Sequence, residues 1–417
     1  MIGRGGRRVA RKTAQPTELE TVAARPKGLP AGTVSWLEID LDALAANVRA
    51  FRSRLAPGAR LMAVVKSNAY GHGAELVVPA VLDAGAEWLG VGNLAEALDA
   101  RRIAGDGVPV LILQHVPAQD LPDAVAADLA VTVYDGAALE RLRRAARRTG
   151  KPARVHLKLE TGTHRQGLPL EDVLALAREV ASAPELRLEG LSTHFADIED
   201  TTDHRFAMEQ LARFRDAVGR LEAEGIRPRY RHAACSAAAV LFPETHFDMV
   251  RVGIGLYGQW PSRETFVSAR ERGLSGFRLV PVLAWKAVIA QVKTVPPGGY
   301  VGYGRTWRAT RATRIAVLPV GYYEGYTRSL SNRAYVLVAG RRAPVVGRIC
   351  MNMMMADVTD IAEAAAGMPA VLIGRSGEEE IRAGDLAEWS GTIAYEVLSR
   401  LNPALPRIPV RGTVTPG

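Results

Sequence analysis

A lysine stands directly behind an apolar run in AVVKSNAYGHG, residues 63–73. Ala63-Val64-Val65 has the composition of a central strand; Lys66 ends it, and Asn68, Gly71 and Gly73 break the pattern into a loop. A cation at such a point either snorkels to water or is placed there for chemistry. This stretch alone leaves both readings open. Polar groups recur behind other apolar runs. Tyr70 and His72 follow Lys66, and Glu160, Thr161, Gly162, His164 and Arg165 follow 154–159. His194 closes 187–194, Cys235 and Ser236 follow 229–234, and Arg251, Gly253 and Ile254 close 247–253 and continue beyond it. Taken singly, each has a structural reading: a hydrogen-bonded histidine, an Arg165–Glu160 pair, a rim arginine, a serine that caps the helix SAAAVLF.

Together they describe a site. A serine at a helix start, with glycines behind the next strand, offers backbone N–H groups and a helix dipole to an anion. An amine across from a phosphate site suits a phosphorylated aldehyde held as a Schiff base, and pyridoxal 5'-phosphate meets that description. The eight histidines show no HExxH or His-x-His pattern with a supporting carboxylate, and the two cysteines are far apart, so no metal site competes. There is neither a P-loop nor a GxGxxG after the first strand.

The elements that must position these groups are legible as an alternation. Strand-like segments fall at 61–66, 88–92, 109–114, 130–134, 154–159, 187–194, 229–234 and 247–253, with helical patterns such as 74–84, 137–148, 171–182 and 203–224 between them. Eight repeated βα units predict an α/β fold, an N-terminal (β/α)8 TIM barrel, whose site gathers at the C-terminal strand ends. An open doubly wound sheet is the structural alternative. Beyond about residue 280 the texture changes to strands at 282–294, 299–307, 313–320, 334–339, 343–350 and 370–374, with helix only at 384–401. This predicts a mostly β C-terminal domain. The expected division is a basic, disordered extension over 1–34, a barrel over 35–280 and a β-rich domain over 281–417.

The 417 residues fit two domains, and 48% hydrophobic with 23% charged residues is ordinary for a globular chain. The net charge of +9 is concentrated: residues 1–34 carry +5, from seven basic and two acidic side chains. The body is nearly balanced, which argues against a nucleic-acid partner. No apolar run reaches the roughly 18–20 residues of a membrane span. Two cysteines, Cys235 and Cys350, fit a cytoplasmic protein.

At these residues the sequence resembles the alanine racemase family, from about Trp36 to Arg407. The resemblance implies a pyridoxal-phosphate isomerase that interconverts L- and D-alanine and supplies D-alanine for peptidoglycan. It implies that Lys66 holds the cofactor and serves as one base. VGYGRTW (301–307) is similar to the second-base motif and makes Tyr303 the other. GLSTHFA places His194 on Arg251; HAACSAA places Ser236 at the phosphate; VRVGIGLYG places Arg251 at the pyridine nitrogen and the Gly253 and Ile254 amides at the phosphate. Tyr70 and Tyr322 resemble two phosphate-contacting tyrosines. LKLETGTHRQG places Arg165 at the substrate carboxylate, and Lys158 within it matches a lysine that is carbamylated in some members. Met351 matches the substrate pocket and Tyr395, in TIAYEVL, the inner gate of the access channel. Because the second-base tyrosine of the family reaches a partner's site, the resemblance implies a homodimer with shared active sites.

Racemisation removes the α-proton from one face and returns one to the other, which two opposed bases accomplish without a swinging group. A tyrosine near pKa 10 needs cationic or hydrogen-bonding neighbours to serve, and His194 with Arg251 is the expected source. Four positions depart from the family pattern. Cys235 replaces Asn, Thr163-His164 replaces Met and a small residue or Asn, Asn352 replaces Asp, and Tyr323-Glu324 replaces Ala-Asp. These bear on substrate choice, with serine or broad-spectrum racemisation the alternative. A decarboxylase of basic amino acids shares the architecture, but Arg251 and Tyr303 oppose it; a non-catalytic cofactor carrier is the third reading.

Overall fold

In the computed structural model residues 28–412 are described. The expected extension therefore falls almost wholly outside the described residues. The first strand, β1 (Ser35–Asp40), leads into a helix capped by Asp40, whose Oδ1 accepts the Asp42 and Ala43 amides.

The barrel follows. Its strands are β2 (Arg60–Val64), β3 (Trp88–Val91), β4 (Val110–Ile112), β5 (Ala130–Val133), β6 (Ala153–Lys158), β7 (Leu186–Ser192), β8 (Tyr230–His232) and β9 (Met249–Val252). All neighbours are parallel, in the order β8-β7-β6-β5-β4-β3-β2-β9. Two backbone bonds, Asp248 N to Arg231 O and Arg251 N to Ala234 O, bridge the remaining seam. The expected eight strands and the barrel, rather than an open sheet, are present. Inside its lower half, Met62, Trp88, Leu111, Ala130, Tyr230 and Met249 form a packed plug. That plug closes the floor beneath the mouth.

The second unit contains β10 (Leu283–Val288), β11 (Gln291–Val295), β12 (Tyr300–Val301), β13 (Trp307–Arg308) and β14 (Thr313–Leu318). It continues with β15 (Tyr335–Val338), β16 (Arg341–Pro344), β17 (Met354–Asp357), β18 (Pro369–Ser376), β19 (Glu379–Ile381) and β20 (Arg407–Val410). Its main sheet runs β16-β15-β18-β10-β1-β20, with β19 paired to β18. The expected boundary at residue 35 therefore needs correction. Ser35–Asp40 pairs antiparallel with β10 and parallel with β20, so it belongs to the second sheet. A strand buried on both faces needs partners, and those partners lie more than two hundred residues away in sequence. The expected strand at 343–350 shortens to β16 and an isolated bridge, Val345 to Ala356, while β17 and β20 have no counterpart in the sequence reading. The last helical stretch is two helices, Ala383–Ser390 and Ala394–Ser399. Among the described residues no helix is long and apolar enough to cross a membrane.

Candidate active site

The chain after β2 takes an unusual path. Ser67, Asn68, Ala69 and Tyr70 all have φ between 52° and 56°, one turn of left-handed helix built from non-glycine residues. That conformation costs L-residues roughly 1–2 kcal/mol each. Local bonds hold it. Glu96 accepts the Ser67 amide at 2.6 Å and the Gly92 amide at 2.7 Å, and Asn68 Oδ1 accepts the Ala74 amide. Gly71, at φ 81°, has no room for a side chain: a Cβ would lie 2.1 Å from the Leu398 carbonyl oxygen of the second domain. Strain secured from both domains is typical of a functional segment. It sets Lys66 at the barrel mouth and carries Tyr70 to the end of the adjacent strand, beside Gly253.

Lys66 lines a cavity of about 920 Å³ together with Tyr70, Lys158, Arg165, His194, Ser236, Arg251, Gly253, Ile254 and Tyr395. Ten of the thirteen expected site residues thus meet in one place. Burial, then the charge of Arg165, lowers the proton affinity of the Lys66 amine.

An anion cup occupies one end. Ser236 Oγ accepts the Gly253 amide at 3.1 Å, and a Cβ on Gly253 would lie 2.4 Å from Tyr70 Oη. Hydroxyls from Tyr70 and Ser236 and the backbone of Gly253 and Ile254 therefore converge on a space only glycine leaves open. This set fits a phosphate. Tyr70 is braced by its stack on Tyr257, with ring centroids 4.9 Å apart.

At the centre, Arg251 is buried and tightly held. Its Nη1 donates to His232 Nδ1 and to the His232 carbonyl, both at 2.8 Å. Its Nη2 donates to the Thr193 and Ala233 carbonyls and to His194 Nδ1 at 3.2 Å. Nε makes no hydrogen bond with any described residue. Burial lowers Arg251 to about 10, so it stays a cation near neutrality. His194, by burial and the Arg251 charge, is driven well below its ordinary value. It is a neutral acceptor, so the charged pair expected from His194 and Arg251 reduces to Arg251 alone. Burial first, then the charges of Arg251 and Arg165, lowers Lys158 to about 8.

Several expected contacts differ. Glu160 does not pair with Arg165: its Oε1 accepts the Gly162 and Thr163 amides. Arg165 is left exposed at the cavity wall. His72 is wholly buried against Tyr257, and burial pushes it down to about 4, a structural role. Tyr322, expected beside Tyr70, is 42% exposed and does not line the cavity. The second-domain ring that approaches Tyr70 is Tyr395, with centroids 6.2 Å apart, because Gly71 seats its helix there. Met351 and Tyr303 are 55% and 69% exposed and also lie outside this chain's cavity. Tyr303 rides a turn, Tyr303–Arg305, at the tip of the β12–β13 hairpin.

The sequence reading missed Glu199. It lines the cavity and accepts the Tyr395 hydroxyl at 3.0 Å, joining the barrel to the second domain at the mouth. Burial raises its proton affinity. The signal available was the acid-rich loop after His194 in THFADIED.

Fold and site define a barrel enzyme with an attached β domain, its mouth equipped with an amine, an anion cup and a fixed guanidinium. Two family profiles match in tandem: alanine racemase, N-terminal domain, over residues 39–261, and alanine racemase, C-terminal domain, over 282–409. An alanine racemase from Symbiobacterium thermophilum is 42% identical over 373 residues, 89% of this chain and 96% of its own. The alanine racemase of Streptomyces coelicolor A3(2) superposes with a TM-score of 0.84 at 40% identity, covering 90% of this chain and 98% of its own. That of Bacillus anthracis with bound L-Ala-P gives 0.84 at 33% identity, over 92% and 96%. The chain belongs to the alanine racemase family.

Proposed function

We propose that this chain interconverts L- and D-alanine with pyridoxal 5'-phosphate and thereby supplies D-alanine for peptidoglycan. The observation that carries the reading is a single cavity joining the Lys66 amine, the Ser236–Gly253 cup and the buried Arg251. When bound, the cofactor supplies a carbonyl for covalent attachment of the amino acid and a conjugated ring that takes up charge when the α-proton leaves. Tyr70, Ser236, Gly253 and Ile254 hold its phosphate. Arg251, whose Nε alone is left without a partner among the described residues, would donate to the ring nitrogen and keep its own proton, which would restrain the ring as an electron sink. Arg165, free of any ion pair with Glu160, holds the substrate carboxylate. Lys66, with its lowered proton affinity, accepts the α-proton on one face.

The other face needs Tyr303, and a second copy supplies it. Three exposed residues support this: Tyr303 at a hairpin tip, Tyr322 and Met351, none of which lines its own chain's cavity. The reading is therefore a homodimer with two shared sites. Lys158 is the modification candidate: as a free amine it adds carbon dioxide, and the resulting carbamate faces Arg165. Two unpaired thiols, Cys235 and Cys350, fit a cytoplasmic enzyme.

Incubation with L-alanine in deuterated water tests the reading. The expected product is D-alanine carrying α-deuterium. Release of carbon dioxide, or no exchange at the α-carbon, overturns it.

A further inference from the structure

Arg251 is the last member of a buried polar chain that runs down through the barrel. His232 Nε2 lies 2.9 Å from His156 Nδ1. His156 Nε2 points toward Glu189, 3.5 Å from its Oε2, an ion-pair distance rather than a formed hydrogen bond, and is otherwise without a partner among the described residues. Glu189 is only 2% exposed, and Arg154 grips it with two bonds, Nε to Oε2 at 2.8 Å and Nη2 to Oε1 at 3.0 Å. Arg154 then reaches Asp128 at the barrel base.

Two backbone features exist to make room for this chain. Between β6 and β7 the register slips at Val155/His156: Val155 faces Leu188 while His156 faces Gly190, which leaves Glu189 as the extra residue. A bulge re-aims a side chain that regular alternation would send to the other face. Gly190 is glycine because a Cβ there would lie 2.1 Å from His156 Nδ1. Arg154, His156 and Lys158 alternate along β6, so they stack from base to mouth on one face.

Hydrogen-bond polarity fixes every proton along it. A guanidinium only donates, so His232 Nδ1 must accept. His232 then carries its proton on Nε2 and donates to His156 Nδ1. His156 in turn carries its proton on Nε2, aimed at the Glu189 carboxylate. Against burial, the facing His156 ring and the two bonds from Arg154 hold Glu189 down to about 2, while burial keeps both rings neutral.

We infer that Glu189 and His156 are positioning residues that act through His232 to orient the Arg251 guanidinium toward the cofactor ring. The inference rests on the proposed site for the use of Arg251. The proton positions are read without turnover.

The test is 15N NMR of the full-length apoprotein labelled at histidine, followed by titration with pyridoxal 5'-phosphate. His156 and His232 are expected as neutral rings protonated at Nε2 from about pH 6 to 8. Glu189→Leu removes the acceptor. It is expected to mix the tautomers of both rings, weaken cofactor binding about tenfold, as outer partners of a bound group do, and shift the bound cofactor's absorption. Glu189→Gln, whose amide oxygen still accepts from His156, is expected to restore all three. A wild-type His232 that is charged, or protonated at Nδ1, overturns the proposal whatever the variants do. So does a folded Glu189→Leu protein with unchanged histidine signals, or a Glu189→Gln protein no better than Glu189→Leu. Loss of racemisation with the tautomers as expected counts against the racemase reading and leaves the relay standing.

Discussion

A methyl group at Gly253 would sit 2.4 Å from Tyr70 Oη, inside the space a phosphate needs. Gly253→Ala is expected to weaken pyridoxal 5'-phosphate binding at least tenfold, as titrated by cofactor absorption, with circular dichroism unchanged. Single contacts of this kind also account for three of the residues that depart from the family pattern. Asn352 donates to Glu324 Oε1 at 2.7 Å, and Glu324 Oε2 accepts the Gly321 amide at 2.8 Å. Two departures thus satisfy each other, and Asn352→Asp would set two carboxylates together. Thr163 donates to the His194 carbonyl, and Cys235 lines the cavity with its thiol pushed up to about 11 by burial, so it stays protonated. Lys158 yields a pH prediction. Its amine is protonated and unreactive below about 8 and free above it. Uptake of 13C-labelled bicarbonate at Lys158, followed by carbamate 13C NMR, is expected to rise as pH passes through that value. A signal independent of pH there rejects the assignment.

The left-handed turn at Ser67–Tyr70 is the element on which the site depends. Glu96 is its latch, since its two oxygens take the Ser67 and Gly92 amides. Glu96→Ala leaves both donors without that partner, at a cost of about 1–3 kcal/mol. The expected result is a lower urea midpoint together with slower cofactor loading; an unchanged midpoint removes the latch. The helix Ala394–Ser399 closes on the same turn through Gly71 and carries Tyr395 to Glu199. The second domain therefore shapes the barrel's mouth even within one chain.

At the scale of the molecule, the proposed reading takes one base from the cavity and the other from the exposed hairpin of a second copy. Tyr303→Phe is expected to cut L-alanine racemisation by about 10²-fold or more, the usual worth of a general base, with cofactor binding intact. Mixing inactive Lys66→Ala and Tyr303→Phe chains is expected to restore activity. Half of randomly paired dimers are mixed and each has one complete site, so recovery approaches about a quarter of wild type. No recovery after demonstrated subunit exchange would place both bases in one chain and end the shared-site reading.

Chain order and residue type alone determined the barrel, the β domain and most of the polar lining of the cavity. Strand ends lie next to the residues that follow them, so Lys66, Arg165, His194, Ser236 and Arg251 were readable as a set. Glycine at 253 was readable for the same reason. Three things required the folded molecule. The membership of Ser35–Asp40 in the second sheet depends on strands far along the chain. The approach of Tyr395, rather than Tyr322, to Tyr70 depends on how one helix seats against Gly71. The descent from Arg251 to Glu189 depends on a one-residue register slip, which no periodicity announces because a bulge breaks the very alternation by which strands are read. Local pattern specifies what each segment is; only packing specifies which distant segment completes its hydrogen bonds.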